Sequence, residues 1–112
     1  MNLRRHHRYP IRLSSVVTGP MSDESVGMTV NLSKQGSLIE ISRKVDTGMA
    51  VSLRITVPGD PLPIHIAQAT VRWNLIGMMG VGFIKVDPSE QARLDQLIDR
   101  MDQDQPLTSG EN

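Results

Sequence analysis

The spacing of apolar residues constrains this chain most, because it follows the period of a β-strand for most of the length and then changes to that of a helix. Val51, Leu53 and Ile55 alternate with polar residues, as expected of a half-buried strand. Six short segments of this kind are predicted to be strands: Ile11–Thr18, Met28–Leu32, Ser37–Ile41, Val51–Val57, Ile64–Trp73 and Met79–Lys85. Their regular spacing favours a closed or nearly closed barrel, or a sandwich.

The segments between the strands carry turn chemistry. Gly19–Gly27 contains Gly-Pro and acidic residues and is predicted to be a loop. The run 58–61, Pro-Gly-Asp-Pro, and the region of Gly77 are predicted to be turns. In the segment Ile64–Trp73 the apolar phase shifts by one residue after Ile66, which predicts a β-bulge near that residue.

The last element begins where the period changes. Residues 87–90, Asp-Pro-Ser-Glu, offer an N-cap, a proline at the first helical position and an acid in the first turn. Apolar residues then recur at helical spacing: Ala92, Leu94, Leu97, Ile98 and Met101. We predict a helix of about three to four turns that ends near Met101, so that residues 11–101 form the barrel and its helix. Residues 102–112 are predicted to be a disordered polar tail.

Composition excludes several classes of function. The chain has no cysteine, which removes thiolate chemistry and disulfides and fits a reducing cytoplasm. No apolar run is long enough to span a membrane, and the N-terminus lacks the apolar stretch of a signal peptide. We find no nucleophile–base–acid set and no phosphate-binding loop before a helix, so we expect no enzyme activity. His6, His7 and His65 are a poor metal-binding set, and we expect no metal and no cofactor.

Charge is distributed unevenly along the chain, although the net charge is zero. The first twelve residues contain no acid and four arginines, Arg4, Arg5, Arg8 and Arg12. We predict residues 1–10 to be a flexible basic arm that meets an anion. An arginine fork matches both the O6/N7 edge of guanine and a phosphate. The alternative is a solubilising terminus, or an arm for any polyanion.

A second polar motif lies between two predicted strands, at residues 31–36, Asn-Leu-Ser-Lys-Gln-Gly. Asn31 can donate and accept hydrogen bonds at a base edge, and Ser33 can donate one to a phosphate oxygen. Gly36 can take a positive φ and expose neighbouring N–H groups to an anion. The alternative is an ordinary hairpin loop with an Asx turn.

Together the two motifs resemble those of the PilZ family, an RxxxR arm followed by a (D/N)xSxxG turn. Arg4 and Arg8 match the first, and Asn31, Ser33 and Gly36 match the second. Residues 69–73, Ala-Thr-Val-Arg-Trp, and 80–83, Gly-Val-Gly-Phe, are similar to the family's late strand pair, and the resemblance runs from about Leu3 to about Met101. It implies a mainly β fold, a six-stranded antiparallel barrel of Greek-key type with a C-terminal helix. It also implies a bacterial receptor that binds cyclic di-GMP and signals to a partner.

The resemblance implies a role for each matching residue. Those expected to contact the guanines or the phosphates of cyclic di-GMP are Arg4, Arg5, Arg8, Asn31 and Ser33. Of these, Arg5 is a secondary cationic contact. Gly36 is expected to permit the turn. Leu3, just before the first arginine, is apolar, which favours one bound dinucleotide over a stacked pair.

Trp73 is the only tryptophan, and two interpretations of it stay open. In the first, Trp73 stacks on a guanine, because it resembles a PilZ family position in a late strand near the ligand. In the second, it packs in the core. By strand alternation Arg72 points to the opposite face, where it is expected to be solvated; the alternative is that a position at the rim of the barrel lets it approach the ligand.

The predicted partners are cyclic di-GMP and an unknown protein, with no DNA, RNA or membrane, and the chain is expected to be a monomer or weak homodimer. One alternative is a PilZ-like adaptor of pilus or motility machinery that binds no nucleotide. The other is a barrel for single-stranded nucleic acid, for which the aromatic residues and positive charge are too few.

Overall fold

Six antiparallel strands close into a barrel in the computed structural model of the chain, which describes residues 9–110 and the side chains of residues 10–103. The order around the barrel is β1-β2-β3-β6-β5-β4, and one helix follows. The elements are β1 (Tyr9–Thr18), β2 (Glu24–Leu32), β3 (Gly36–Ile41), β4 (Ala50–Ile55), β5 (Ile64–Leu75), β6 (Met78–Lys85) and α1 (Pro88–Gly110). The predicted barrel is confirmed over the sandwich.

The alternation of apolar residues places one face of each strand inside the barrel. Val51, Leu53 and Ile55 are buried there, as predicted from their spacing. The side chains of α1 that contribute to the core are Leu94, Leu97 and Ile98, and the helix contacts β5 and β1. At about 1.5–3 kcal/mol for each fully buried side chain, this apolar core is the main source of stability.

Two predicted boundaries at the N-terminal half are wrong. β2 begins at Glu24 inside the predicted loop Gly19–Gly27, since Ser25 pairs with Val17 and Val26 with Val16 on β1. Val26 is largely exposed whereas Ser25 is half-buried, so at this end of the hairpin the apolar residues do not mark the inner face of the strand. β1 begins at Tyr9, so Tyr9 and Pro10 belong to the barrel rather than to the predicted arm.

The helix is longer than predicted. α1 continues through Gly110, well past the expected end near Met101 and into the predicted disordered tail. The apolar spacing on which that prediction depended stops at Met101, although the backbone stays helical beyond it.

Arg93 fastens the N-terminal part of α1 to the loop between β4 and β5. Its Nη1 donates to the carbonyl oxygen of Pro63 at 2.8 Å and lies 3.3 Å from Glu90 Oε1. Glu90 Oε1 in turn accepts the backbone N–H of His65 at 3.0 Å. The helix is thereby tied to the beginning of β5.

Strand β5 contains two bulges. Leu53 pairs with Ile66 and Val51 with Ala69, so β5 has one extra residue there, which confirms the bulge predicted near Ile66. A second irregularity, which was not predicted, lies between Val71 and Trp73 where β5 pairs with β6. It changes which face the following side chains occupy.

Candidate functional site

The turn between β2 and β3 is organised by the hydroxyl group of Ser33. Ser33 Oγ accepts the N–H groups of Gln35 and Gly36, at 3.2 Å and 3.1 Å, and donates to the carbonyl oxygen of Gly36 at 3.2 Å. The backbone N–H of Ser33 also donates to that carbonyl, at 2.9 Å. Ser33 is buried, with 3% of its surface exposed. Its hydroxyl therefore holds the turn, and the predicted contact with a phosphate stays a prediction.

Gly36 is required by close packing rather than by its backbone angle. In the described part of the chain, the glycines with positive φ are Gly48, Gly59 and Gly77, so Gly36 does not use the positive φ that a glycine can take. A Cβ on Gly36 would lie 2.4 Å from the carbonyl oxygen of Val81. The absence of a side chain is what allows β3 to approach β6 here.

Asn31 and Trp73 belong to one row of residues that crosses four strands on the outer wall of the barrel. Asn31 on β2 pairs with Leu38 on β3, Leu38 pairs with Gly80 on β6, and Gly80 pairs with Trp73 on β5. Neighbouring strands lie about 4.8 Å apart, so the path from Asn31 to Trp73 along the curved wall is about 14 Å. We call these four residues the outer row.

Trp73 is not part of the core. Its side chain is 43% exposed, and its Nε1 would be 2.3 Å from a Cβ on Gly80. The indole therefore lies over the backbone of β6 on the outside of the barrel. This excludes the core-packing interpretation, and stacking on a guanine stays a prediction.

Arg72 lies on the same outer face as Trp73, and the prediction that it points the opposite way is wrong. Val71 is buried, whereas Arg72 and Trp73 are both exposed, because the bulge between Val71 and Trp73 interrupts the alternation. Arg72 Nε would be 2.6 Å from a Cβ on Gly82. The signal in the sequence is the pair of glycines two residues apart in β6, which leaves the middle of one face of that strand without side chains.

The arginines of the predicted arm, Arg4, Arg5 and Arg8, lie outside the described residues. The described chain begins beside the turn, because Tyr9 pairs with Leu32, the neighbour of Ser33. Pro10 pairs with Asn31. The segment that carries the predicted arginines is therefore joined to the barrel next to the outer row.

The described part of the chain holds no cluster of metal ligands. Among residues 10–103, whose side chains are described, no group of three or more His, Asp or Glu residues is placed to hold a metal ion, and His65 is exposed. His6 and His7 lie outside it. Within it, α1 is not apolar enough to cross a bilayer.

The fold defines a class, the small closed β-barrel domain, and this one displays polar groups on its outer wall. A sequence model of the PilZ domain matches residues 2–100. This chain therefore belongs to the PilZ domain family, as the two motifs predicted. No curated protein matches the chain by sequence.

Solved structures agree with this assignment at the level of the fold. The PilZ domain of CeSA from a cellulose-synthesizing bacterium is similar with a TM-score of 0.69 and 17% identity, over 86% of this chain and 98% of that one. The cyclic di-GMP-bound PilZ domain of YcgR from Escherichia coli gives 0.73 and 13%, over 99% and 100%. The Bacillus subtilis inhibitor of motility MotI/DgrA gives 0.74 and 18%, over 93% of this chain and 53% of that one.

Proposed function

We propose that this chain is a cytoplasmic receptor for cyclic di-GMP that has no enzymatic activity and reports the ligand to a protein partner. The observation that supports the proposal is the outer row, which links Asn31 to Trp73 by strand pairing and lies next to Tyr9, where the arginine-bearing segment meets the barrel. Membership of the PilZ family, whose members include cyclic di-GMP receptors, supports the choice of ligand.

Each residue contributes a different interaction to the proposed complex. Arg4 and Arg8 hold a guanine edge and the phosphates, since a guanidinium group binds either in a bidentate manner. Asn31 hydrogen bonds a guanine from the barrel wall. The indole of Trp73 stacks on a base, which is worth about 1–3 kcal/mol. Secondary roles belong to Arg5, as a further cation, and to Ser33 and Gly36, which keep the turn in place.

Signalling follows from ordering of the N-terminal segment. This segment is polar and basic and has few apolar groups with which to hold itself against the barrel. The ligand brings two phosphates and two guanines, which the arginines bind on one side and the outer row on the other. Closure of the segment over the ligand then changes the surface that the domain shows to its partner.

Calorimetric titration of the full chain with cyclic di-GMP tests this function. We expect saturable binding of one dinucleotide per chain and much weaker binding of cyclic di-AMP, which has the same phosphates and lacks the guanine O6. A single-stranded oligonucleotide serves as the control for general polyanion binding. No binding of cyclic di-GMP would overturn the proposal in favour of an adaptor that binds no nucleotide.

A further inference from the structure

Two glycines of β6, Gly80 and Gly82, expose bare backbone on the outer wall, and we call this backbone the floor. Two planar side chains of β5 lie over the floor. The indole of Trp73 lies over Gly80, and the guanidinium end of Arg72 lies over Gly82. Residues two apart in a strand are separated by about 6.6 Å. The two planar groups are therefore neighbours on one surface, each close to backbone that carries no side chain.

The position of Arg72 connects this floor to the turn. Gly82, beneath the guanidinium, pairs with Gly36, the last residue of the turn that Ser33 organises. Gly80, beneath the indole, pairs with Leu38 of the outer row. Arg72 therefore stands beside both the turn and Trp73, on the surface where the proposed ligand lies.

The guanidinium group of Arg72 has its donors available within the described part of the chain. Arg12 lies 3.3 Å from Glu40, and Arg54 lies 2.9 Å from Glu24, so both of these exposed arginines are paired with a carboxylate. Arg72 has no such ion pair with a described residue, and its side chain is exposed. An exposed arginine that lies beside a strand without an ion pair is suited to bind an anion in a bidentate manner.

We propose that Arg72 is a further ligand-binding residue, which holds a phosphate of the nucleotide whose base lies on Trp73. This inference rests on the proposed function. One nucleotide offers a group to each of them, because it carries a base that an indole can stack on and a phosphate that a guanidinium group can bind. The bulge in β5 is what makes the arrangement possible, since regular alternation would send Arg72 and Trp73 to opposite faces.

The test compares Arg72→Ala and Arg72→Gln with the wild-type chain, by calorimetric titration with cyclic di-GMP at low and moderate salt. Arg100→Ala is the matched control, because it removes an exposed arginine from α1, far along the chain from the floor. We expect both Arg72 variants to bind roughly tenfold more weakly, as for the loss of one charge-assisted contact, and the control to bind as the wild type does. The affinity of the Arg72 variants should also depend less on salt concentration than the affinity of the wild type does.

Fluorescence of Trp73, the only tryptophan, provides the second readout. At saturating ligand the Arg72 variants should show the same change of emission as the wild type, because the base still stacks on the indole. If the wild type binds and both Arg72 variants keep its affinity, the inference is overturned and the proposed function stands. If the wild type does not bind cyclic di-GMP, the proposed function and this inference are both overturned.

Discussion

The indole of Trp73 lies over the backbone of Gly80 on the neighbouring strand, with Nε1 2.3 Å from the point at which a Cβ would stand. The pairing of these two residues is also the last step of the outer row that leads back to Asn31. Gly80 thus allows a large aromatic side chain to lie on the barrel wall rather than project from it. The surface proposed for stacking is formed by two strands of a closed barrel, whose paired backbones form a rigid support.

Substitution of Gly80 by alanine should displace the indole. The new methyl group meets the ring of Trp73, which is partly exposed and able to turn outward. We expect the tryptophan emission of Gly80→Ala to move to longer wavelength, because the ring meets more water, and cyclic di-GMP to bind more weakly. Gly82→Ala is the control for the spectrum, since its methyl group meets Arg72 instead. An unchanged emission spectrum in Gly80→Ala would contradict the packing described.

Gly36 and Gly82 face each other across β3 and β6 but should respond differently to alanine. A methyl group on Gly36 meets the carbonyl oxygen of Val81, which belongs to the backbone, whereas one on Gly82 meets the flexible end of Arg72. We expect Gly36→Ala to lower the free energy of unfolding by about 1–3 kcal/mol, as for overpacking. Gly82→Ala should cost less than about 1 kcal/mol. Urea denaturation measures both, and equal losses would count against this account of Gly36.

Two buried serines form a matched pair for testing hydrogen bonds inside the barrel. Ser15 Oγ lies 2.7 Å from Thr29 Oγ1, whereas Ser37 Oγ has no hydrogen-bond partner among the described residues. Ser15→Ala leaves Thr29 without this partner and should cost about 1–3 kcal/mol. Ser37→Ala should be neutral or stabilising, because it removes a buried polar group that gains nothing from folding. Thermal unfolding of both variants measures the difference, and a larger loss from Ser37→Ala would refute it.

Removal of Arg93 should loosen the helix from the barrel. Its guanidinium group donates to the carbonyl oxygens of Pro63 and Leu62 and lies near the carboxylates of Glu90 and Asp60. We expect Arg93→Ala to lower the free energy of unfolding by about 1.5–3 kcal/mol, the range for hydrogen bonds to a charged group. Arg100→Ala, an exposed position on the same helix, should change it by less than about 0.5 kcal/mol. Equal unfolding midpoints in the two variants would show that Arg93 does not anchor the helix.

The arginines before Tyr9 are expected to contribute directly to affinity. Arg4→Ala and Arg8→Ala should each weaken cyclic di-GMP binding by about 1–3 kcal/mol, from loss of a bidentate contact. Arg12→Ala is the control, because Arg12 is paired with Glu40 on the barrel. Calorimetry that found full affinity in both Arg4→Ala and Arg8→Ala would remove these residues from the site.

The inward face of the barrel was predictable because burial and alternation agree there, as at Val51 and Leu53. The bulge near Ile66 was predictable for the same reason, since apolar residues on both sides of it mark the change of phase. The bulge at Arg72 was not predictable, because Arg72 and Trp73 are both exposed and the sequence shows no shift in the alternation of apolar and polar residues there. The early start of β2 was missed because Val26, although apolar, is exposed.

The arrangement of the candidate site was predictable only in part. Asn31, Ser33 and Gly36 could be chosen from a short motif, but their neighbours depend on the order of strands. Trp73 comes into the row of Asn31 only because β6 lies between β3 and β5, an arrangement that no local pattern in the sequence reveals. The engagement of the Ser33 hydroxyl within its own turn likewise depends on atomic geometry.

Amide NMR spectra of the full chain, recorded as cyclic di-GMP is added, test the central claim most directly. We predict that the amide signals of residues 3–8 and 31–36 and the indole N–H signal of Trp73 all shift. The amide of Gly59, in the turn after β4, should stay in place. If all of the signals predicted to shift remained unmoved at saturating ligand, the account of this surface as the cyclic di-GMP site would be contradicted.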